Sequence, residues 1–165
     1  MKRLIYIAAG FVLFLLGAFV ALALYIPAEK EFTQVIEIDA PAEVVWQVMT
    51  DREKYPEWQD QIEKVQILND KEWIEHTAGG ELRFRIDARD EGRSMEISYS
   101  MGDTFRGSWR GELSPRGEDR SLIRTTDRTV VEGWATRVMM WFFFDIEEFA
   151  KDWNNKLKKR SESLR

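Results

Sequence analysis

The side chains that could carry chemistry in this sequence are few. There is one histidine, His76, and no cysteine. That composition excludes a metal site built on several histidines, any cysteine-metal site, disulfides and thiol nucleophiles. A hydroxyl nucleophile would need a histidine base held by an acid, and only His76 could be that base. A lone histidine near a strand end is more often structural or exposed. Carboxylate and phenol chemistry remains. Tyr99, Asp127 and Asp145 are the candidate acid/base groups, with Asp51 and Arg124 as further polar groups. Asp145 interrupts an apolar run, and a buried carboxylate must be paired or protonated. Arg124 or Arg128 is a partner for it, and the plainer reading is an ion pair beside the core. No catalytic residue, metal ligand or cofactor is assigned on these residues.

The elements that must position them follow from periodicity. Phe32–Ile38 alternates and predicts a strand. Asp39, an N-cap candidate, and Pro41 open a helix whose Val44, Val45, Val48 and Met49 recur at helical spacing. A short helix over Arg52–Tyr55 is expected to stop at Pro56. Further strands are predicted over 62–68, 73–77, 81–88, 94–101, 104–113 and 122–131. Turn signals fall between them, notably Asn69-Asp70, Gly79-Gly80, Asp90-Glu91-Gly92 and Gly102-Asp103. Leu82, Phe84, Ile86 and Ala88 share one face; so do Met95, Ile97, Tyr99 and Met101, and Phe105, Gly107, Trp109, Gly111 and Leu113. Strands of this kind form an antiparallel sheet wet on one side. The last strand fits either parity: the face of Ile123, Thr125, Asp127, Thr129 and Val131 inward, or that of Leu122, Arg124, Thr126, Arg128 and Val130. Each choice turns a charge inward. Trp134–Leu164 has no proline or glycine and predicts one long helix. Its stripe of Val138, Phe142, Ile146, Phe149, Trp153 and Leu157 should lie on the sheet.

Leu4–Ile26 is a run of 23 residues without a charge, preceded by Lys2 and Arg3 and followed by Glu29, Lys30 and Glu31. As a helix it would be roughly 34 Å long, enough for a hydrocarbon core of about 30 Å. The flanking charges place the N-terminus in the cytoplasm and the following domain outside. A cleaved signal peptide ending at Ala21-Leu22-Ala23 is the competing reading; the length of the apolar run and Tyr25 as an interfacial residue favour a retained anchor. Residues 1–28 thus read as anchor and 29–165 as one domain. After residue 26 the chain carries 22 basic and 29 acidic residues, a net charge of −7, which argues against nucleic acid. The basic stretch Lys156–Arg160 reads as a solvated helix end.

The segment Ile36-Glu37-Ile38-Asp39-Ala40-Pro41-Ala42-Glu43-Val44-Val45-Trp46, with Thr50-Asp51 and Tyr55-Pro56-Glu57-Trp58 after it, resembles the opening of the START-like, or SRPBCC, superfamily of polyketide cyclases and lipid-transfer domains. The resemblance covers residues 32–163. It implies an α+β helix-grip fold: a curved antiparallel sheet wrapped around a long C-terminal helix, here preceded by a single transmembrane helix. It also implies an apolar cavity between sheet and helix. The cavity would be lined by Phe84, Ile97, Tyr99, Met101, Phe105, Trp109, Met139, Phe142 and Ile146, with Asp127, Asp145 and Arg124 as its polar groups. Read from the residues alone, the same aromatics could fill a solid core.

Val138–Phe144 is apolar all round, beyond what one sheet can cover. It could pack near Trp46 and Tyr55 as core, line the mouth of the cavity, or rest on a bilayer. Taken together, the sequence suggests a non-enzymatic domain anchored in a bacterial inner membrane and facing the periplasm, which binds a lipid, isoprenoid or quinone. The alternatives are a cyclase-like or hydrolase-like enzyme using Tyr99, Asp127 or Asp145, and an envelope protein-interaction module with a filled core.

Overall fold

The computed structural model describes residues 2–103 and 105–165, apart from the side chains of residues 2, 4 and 22–24. Met1 and Thr104, the expected first residue of a strand, therefore lie outside the described residues, as do the side chains of Leu22 and Ala23. The order is α1 (Lys2–Tyr25), β1 (Glu29–Ile38), α2 (Ala42–Thr50), a 3-10 helix (Arg52–Glu57), β2 (Lys64–Ile67), β3 (Glu72–Thr77), β4 (Gly80–Asp90), β5 (Ser94–Met101), β6 (Phe105–Pro115), β7 (Ser121–Val131), α3 (Trp134–Phe143) and α4 (Ile146–Glu162). The seven strands form one sheet in the order β1-β7-β6-β5-β4-β3-β2. All its pairings are antiparallel. Hairpins join β2 through β7 in succession, and β1 closes the far edge against β7.

Alternation sets which face each side chain takes. The inner face carries Ile38, Ile86, Met95, Trp109, Leu113 and Ile123, packed against Val45, Trp46, Val48 and Met49 of α2 and Leu157 of α4. The parity of β7 is resolved: Ser121, Ile123, Thr125, Asp127, Thr129 and Val131 are buried, while Arg124 and Arg128 are exposed on the outer face. Ala88 does not continue the inner row of Phe84 and Ile86. A register shift between Ile86 and Ala88 carries it to an exposed position, the usual effect of an extra residue in a strand.

Three local expectations are corrected. Pro56 lies inside the 3-10 helix rather than ending it, and the helix closes one residue later at Glu57. Asp39 does not cap α2. Its backbone N–H donates to Glu162 Oε1 at 2.9 Å, which ties the end of β1 to the end of α4. The single long C-terminal helix is two helices, broken at Phe144, which is extended. Asp145 caps α4, its Oδ1 accepting from the N–H groups of Glu147 (3.0 Å) and Glu148 (3.2 Å). Phe144 packs on Phe149, ring centroids 5.5 Å apart. An N-cap acid with a glutamate three residues on, and an apolar pair bridging the cap, is a complete helix-start signal. It outweighs the apolar periodicity that runs through it.

Among the described residues, no helix is long and apolar enough to cross a membrane. The expected span is helical as far as Tyr25.

Candidate functional site

The inner face of the sheet has two halves. At the end where β1 finishes and β6 turns into β7, α2 and the C-terminal half of α4 cover it completely: Ile38, Ile123 and Leu157 have no exposed surface. α4 is fixed there by Asn154, whose Nδ2 donates to Gln34 Oε1 (2.9 Å) and Thr125 Oγ1 (3.0 Å). At the other end, where β1 begins and β7 finishes, Phe84, Ile97, Tyr99, Met101 and Phe105 are only partly buried. This open half is the candidate site.

Its wall is aromatic. Trp73 of β3 stacks on Phe84 of β4 with centroids 5.0 Å apart and planes 8° from parallel. Phe84 meets Tyr99 of β5 at 5.7 Å, and Tyr99 meets Phe105 of β6 at 5.9 Å. Two glycines of β6 let large rings lie flat on the sheet. A methyl group on Gly107 would strike the Tyr99 ring and come 2.6 Å from the Arg128 carbonyl oxygen; one on Gly111 would strike the Trp109 ring. The space these glycines leave is filled by the rings themselves.

Polar groups are set into this wall. Because Tyr99 crosses over Gly107, its hydroxyl reaches Thr129 of β7, Oη to Oγ1 2.9 Å. Asp127 lies two residues before Thr129, flanked in register by Trp109 on one side and Phe32 on the other. It is 9% exposed. Burial, with no cation or donor among the described residues against it, pushes its carboxyl up to about 7. Burial likewise pushes the Tyr99 phenol up to about 12, opposed by the Thr129 hydrogen bond and reinforced by the Asp127 charge. A second carboxylate, Glu75 of β3, lies on the same face as Trp73 and is 8% exposed. Burial raises it to about 7 although Trp73 Nε1 donates to it at 2.9 Å. Groups in this state can donate as acids or accept as carboxylates near neutral pH, the condition for proton transfer or for recognising a polar ligand end.

The other expected residues are placed elsewhere. Arg124 projects from the outer face of β7. Asp145 is the exposed cap of α4 and lies 3.9 Å from Lys30, not against Arg124 or Arg128. Met139 and Phe142 are exposed on α3, and Ile146 is half-buried at the start of α4. Neither Trp141 nor Phe143 packs near Trp46 and Tyr55 as core; both are exposed. Asp51 pairs with Lys54 at 2.7 Å in a groove of about 300 Å³ between α2 and α4. His76 Nδ1 lies 3.3 Å from Glu81 on the sheet's outer face. A further groove of about 610 Å³ runs between β1 and α4; none of the nine expected apolar lining residues borders either groove. Sequence reasoning missed Glu75 and Thr129. Both were visible by parity, Glu75 two residues from Trp73 and Thr129 two from Asp127.

A sequence profile of the family described as polyketide cyclase / dehydrase and lipid transport matches residues 29–162. A comparison with curated proteins finds no match. Among solved structures, the chain is similar to a START superfamily protein from Mycobacterium smegmatis, at 21% identity and a TM-score of 0.65 over 82% of this chain and 99% of that one. It is also similar to the Zhui aromatase/cyclase from Streptomyces sp. R1128, at 18% identity and a TM-score of 0.68 over 83% and 96%. Norcoclaurine synthase from Thalictrum flavum follows, at 14% identity and a TM-score of 0.63 over 82% and 96%.

Proposed function

The chain belongs to the polyketide cyclase / dehydrase and lipid transport family, and from that premise we propose that its domain holds a hydrophobic small molecule, a lipid, isoprenoid or quinone, on the open half of the sheet's inner face. The observation that carries this reading is a polar cluster, Tyr99, Thr129 and Asp127, set into an aromatic wall that α4 leaves partly uncovered. Such a surface suits an apolar body with one polar end. Each 100 Å² of apolar ligand surface covered contributes about 2.5 kcal/mol before the costs of association.

The same proposal includes a membrane tether. Residues 4–26 carry no charge, Lys2 and Arg3 precede them, and α1 runs from Lys2 to Tyr25. Its described apolar side chains are exposed, Phe14 by 70%. These features support a single-pass anchor in a bacterial inner membrane, N-terminus cytoplasmic and domain periplasmic.

Native mass spectrometry of the detergent-purified full chain, followed by organic extraction, tests both parts. A stoichiometric lipid, isoprenoid or quinone is the expected result. Delipidated protein whose tryptophan fluorescence responds to none of these three classes overturns the binding reading.

A second reading is enzymatic. The enzymes among the structural neighbours, an aromatase/cyclase and a synthase, share the fold, and the desolvated Asp127 favours acid/base work here. Asp127→Asn that keeps ligand affinity but abolishes turnover of a bound polyketide or carbonyl compound would select this reading. Unchanged turnover would remove it.

A further inference from the structure

Helix α3 presents an apolar surface that none of the described residues covers. Trp134, Met139, Trp141, Phe142 and Phe143 are between 54% and 85% exposed. A surface helix of a water-bathed domain carries charges on its outer side. The only charged residue of α3 is Arg137, and it is directed at the chain, its Nη1 donating to the Ile26 carbonyl at 3.3 Å.

What α3 does touch is the end of α1. The Trp134 ring meets Phe19 edge-on, centroids 5.4 Å apart, and Val138 is buried with Ile26. Phe19 lies six residues before Tyr25, the last residue of α1, so about 9 Å inside that end of the helix. An apolar layer deep enough to cover α1 to within one and a half turns of its end reaches Phe19, and it reaches the Trp134 ring with it. The depth of one helix therefore sets the depth of the other.

We propose that α3 lies in the interfacial layer of the bilayer that holds α1, its tryptophan and phenylalanine face among the upper acyl chains. Amphipathic rings suit that layer. The exposed Asp145, Glu147 and Glu148 that follow at the start of α4 would stand at its polar edge. The open half of the sheet lies at this same end of the molecule, where β1 leaves α1 and β7 enters α3, so the candidate site would face lipid. The inference rests on the reading of residues 4–26 as an anchor.

The absence of cysteine makes the test clean. Leu13→Cys, Phe143→Cys, Trp141→Cys and Glu118→Cys, one at a time in the full chain, are labelled with a polarity-sensitive fluorophore. Each is reconstituted in phosphatidylcholine–phosphatidylglycerol vesicles with and without spin-labelled phospholipid. Positions 143 and 141 are highly exposed, so these substitutions remove no core packing. The proposal expects blue-shifted emission and lipid quenching at 13, 143 and 141, and neither at 118, in the turn between β6 and β7. Quenching at 13 with solvent-like emission at 143 and 141 overturns the placement of α3 and leaves the anchor standing. A blue shift at 143 and 141 without lipid quenching means that protein covers α3, which also overturns it. No quenching at 13 removes the anchor and this inference together.

Discussion

Replacing Asp127 by asparagine should remove about half of a stability change between pH 7 and pH 5 that runs opposite to ordinary acid denaturation. The carboxyl rises from an ordinary value of 3.8 to about 7 in the fold, and Glu75 from 4.5 to about 7. Both groups bind their proton more tightly folded than unfolded. Their contribution is fully present below the unfolded values and is lost as pH climbs through about 7. Each should change the unfolding free energy by about 1.4 kcal/mol per pH unit within that window. From pH 7, where each group is already half-protonated, to pH 5 that is ~2 kcal/mol for each, ~4 kcal/mol together. The carboxylates that partners hold below their usual range, Glu29, Asp60, Glu91 and Glu162, act with the opposite sign, and only at more acid pH. Urea unfolding of the detergent-solubilised full chain, followed by tryptophan fluorescence at pH 5, 6, 7 and 8, reads the effect. The parent should gain stability on acidification, Asp127→Asn about half as much, and Asp127→Asn with Glu75→Gln almost nothing. At pH 8 the single variant should be at least as stable as the parent, because the buried charge is gone. A parent whose stability is flat or falls from pH 7 to pH 5, with the variant superimposed on it, would refute the desolvation of Asp127 on the inner face.

Gly107→Ala should cost about 1–3 kcal/mol by overpacking and break the Tyr99–Thr129 hydrogen bond, with Tyr99→Phe alone costing only about 1 kcal/mol; thermal unfolding of the two variants and their combination separates the effects. Asp145→Ala should lower stability by about 1 kcal/mol through loss of the α4 cap, while Asp145→Asn, which can still cap, stays near the parent and neither changes ligand affinity. Leu157→Ala should cost about 2–5 kcal/mol, since Leu157 has no exposed surface, and a loss under 1 kcal/mol in urea melts would contradict the packing of α4 on the closed half. Trp73→Phe removes the hydrogen bond that Trp73 donates to Glu75, so the pH at which Glu75 titrates, followed by carboxyl carbon chemical shift, should rise.

Most of the framework was legible because strict alternation and turn residues act locally. The hairpin glycines Gly92 and Gly102 adopt the positive φ their turns require, 73° and 56°, and the strands on either side fall close to where period-two reading puts them. The misses are places where two local signals competed. Apolar spacing ran unbroken from Val138 to Leu157, yet the Asp145 cap with Glu148 divides it. Ala88 matched the alternation of β4, but a bulge shifted it. The parity of β7 could not be decided from its own residues, because Asp127 and Arg124 cost the interior alike until β6 and β1 set the register. At the site, the aromatic wall could be read strand by strand. The Tyr99–Thr129 bond could not, since it depends on a ring crossing a glycine of the strand between them.

The position of β1 has a consequence for how the molecule is made. Glu29 pairs with Val130 and Ile38 with Ser121, so the first strand must wait for the last. At roughly 5–20 residues per second, about a hundred residues of synthesis separate them by some 5–20 seconds. β1 would spend that interval as a bare edge, every N–H and C=O of its pairing side unanswered. Such edges recruit other strands, and long-range closure of this kind is slow. The charges at its start, Glu29, Lys30 and Glu31, are exposed, and charges on an edge discourage intermolecular pairing until β7 emerges.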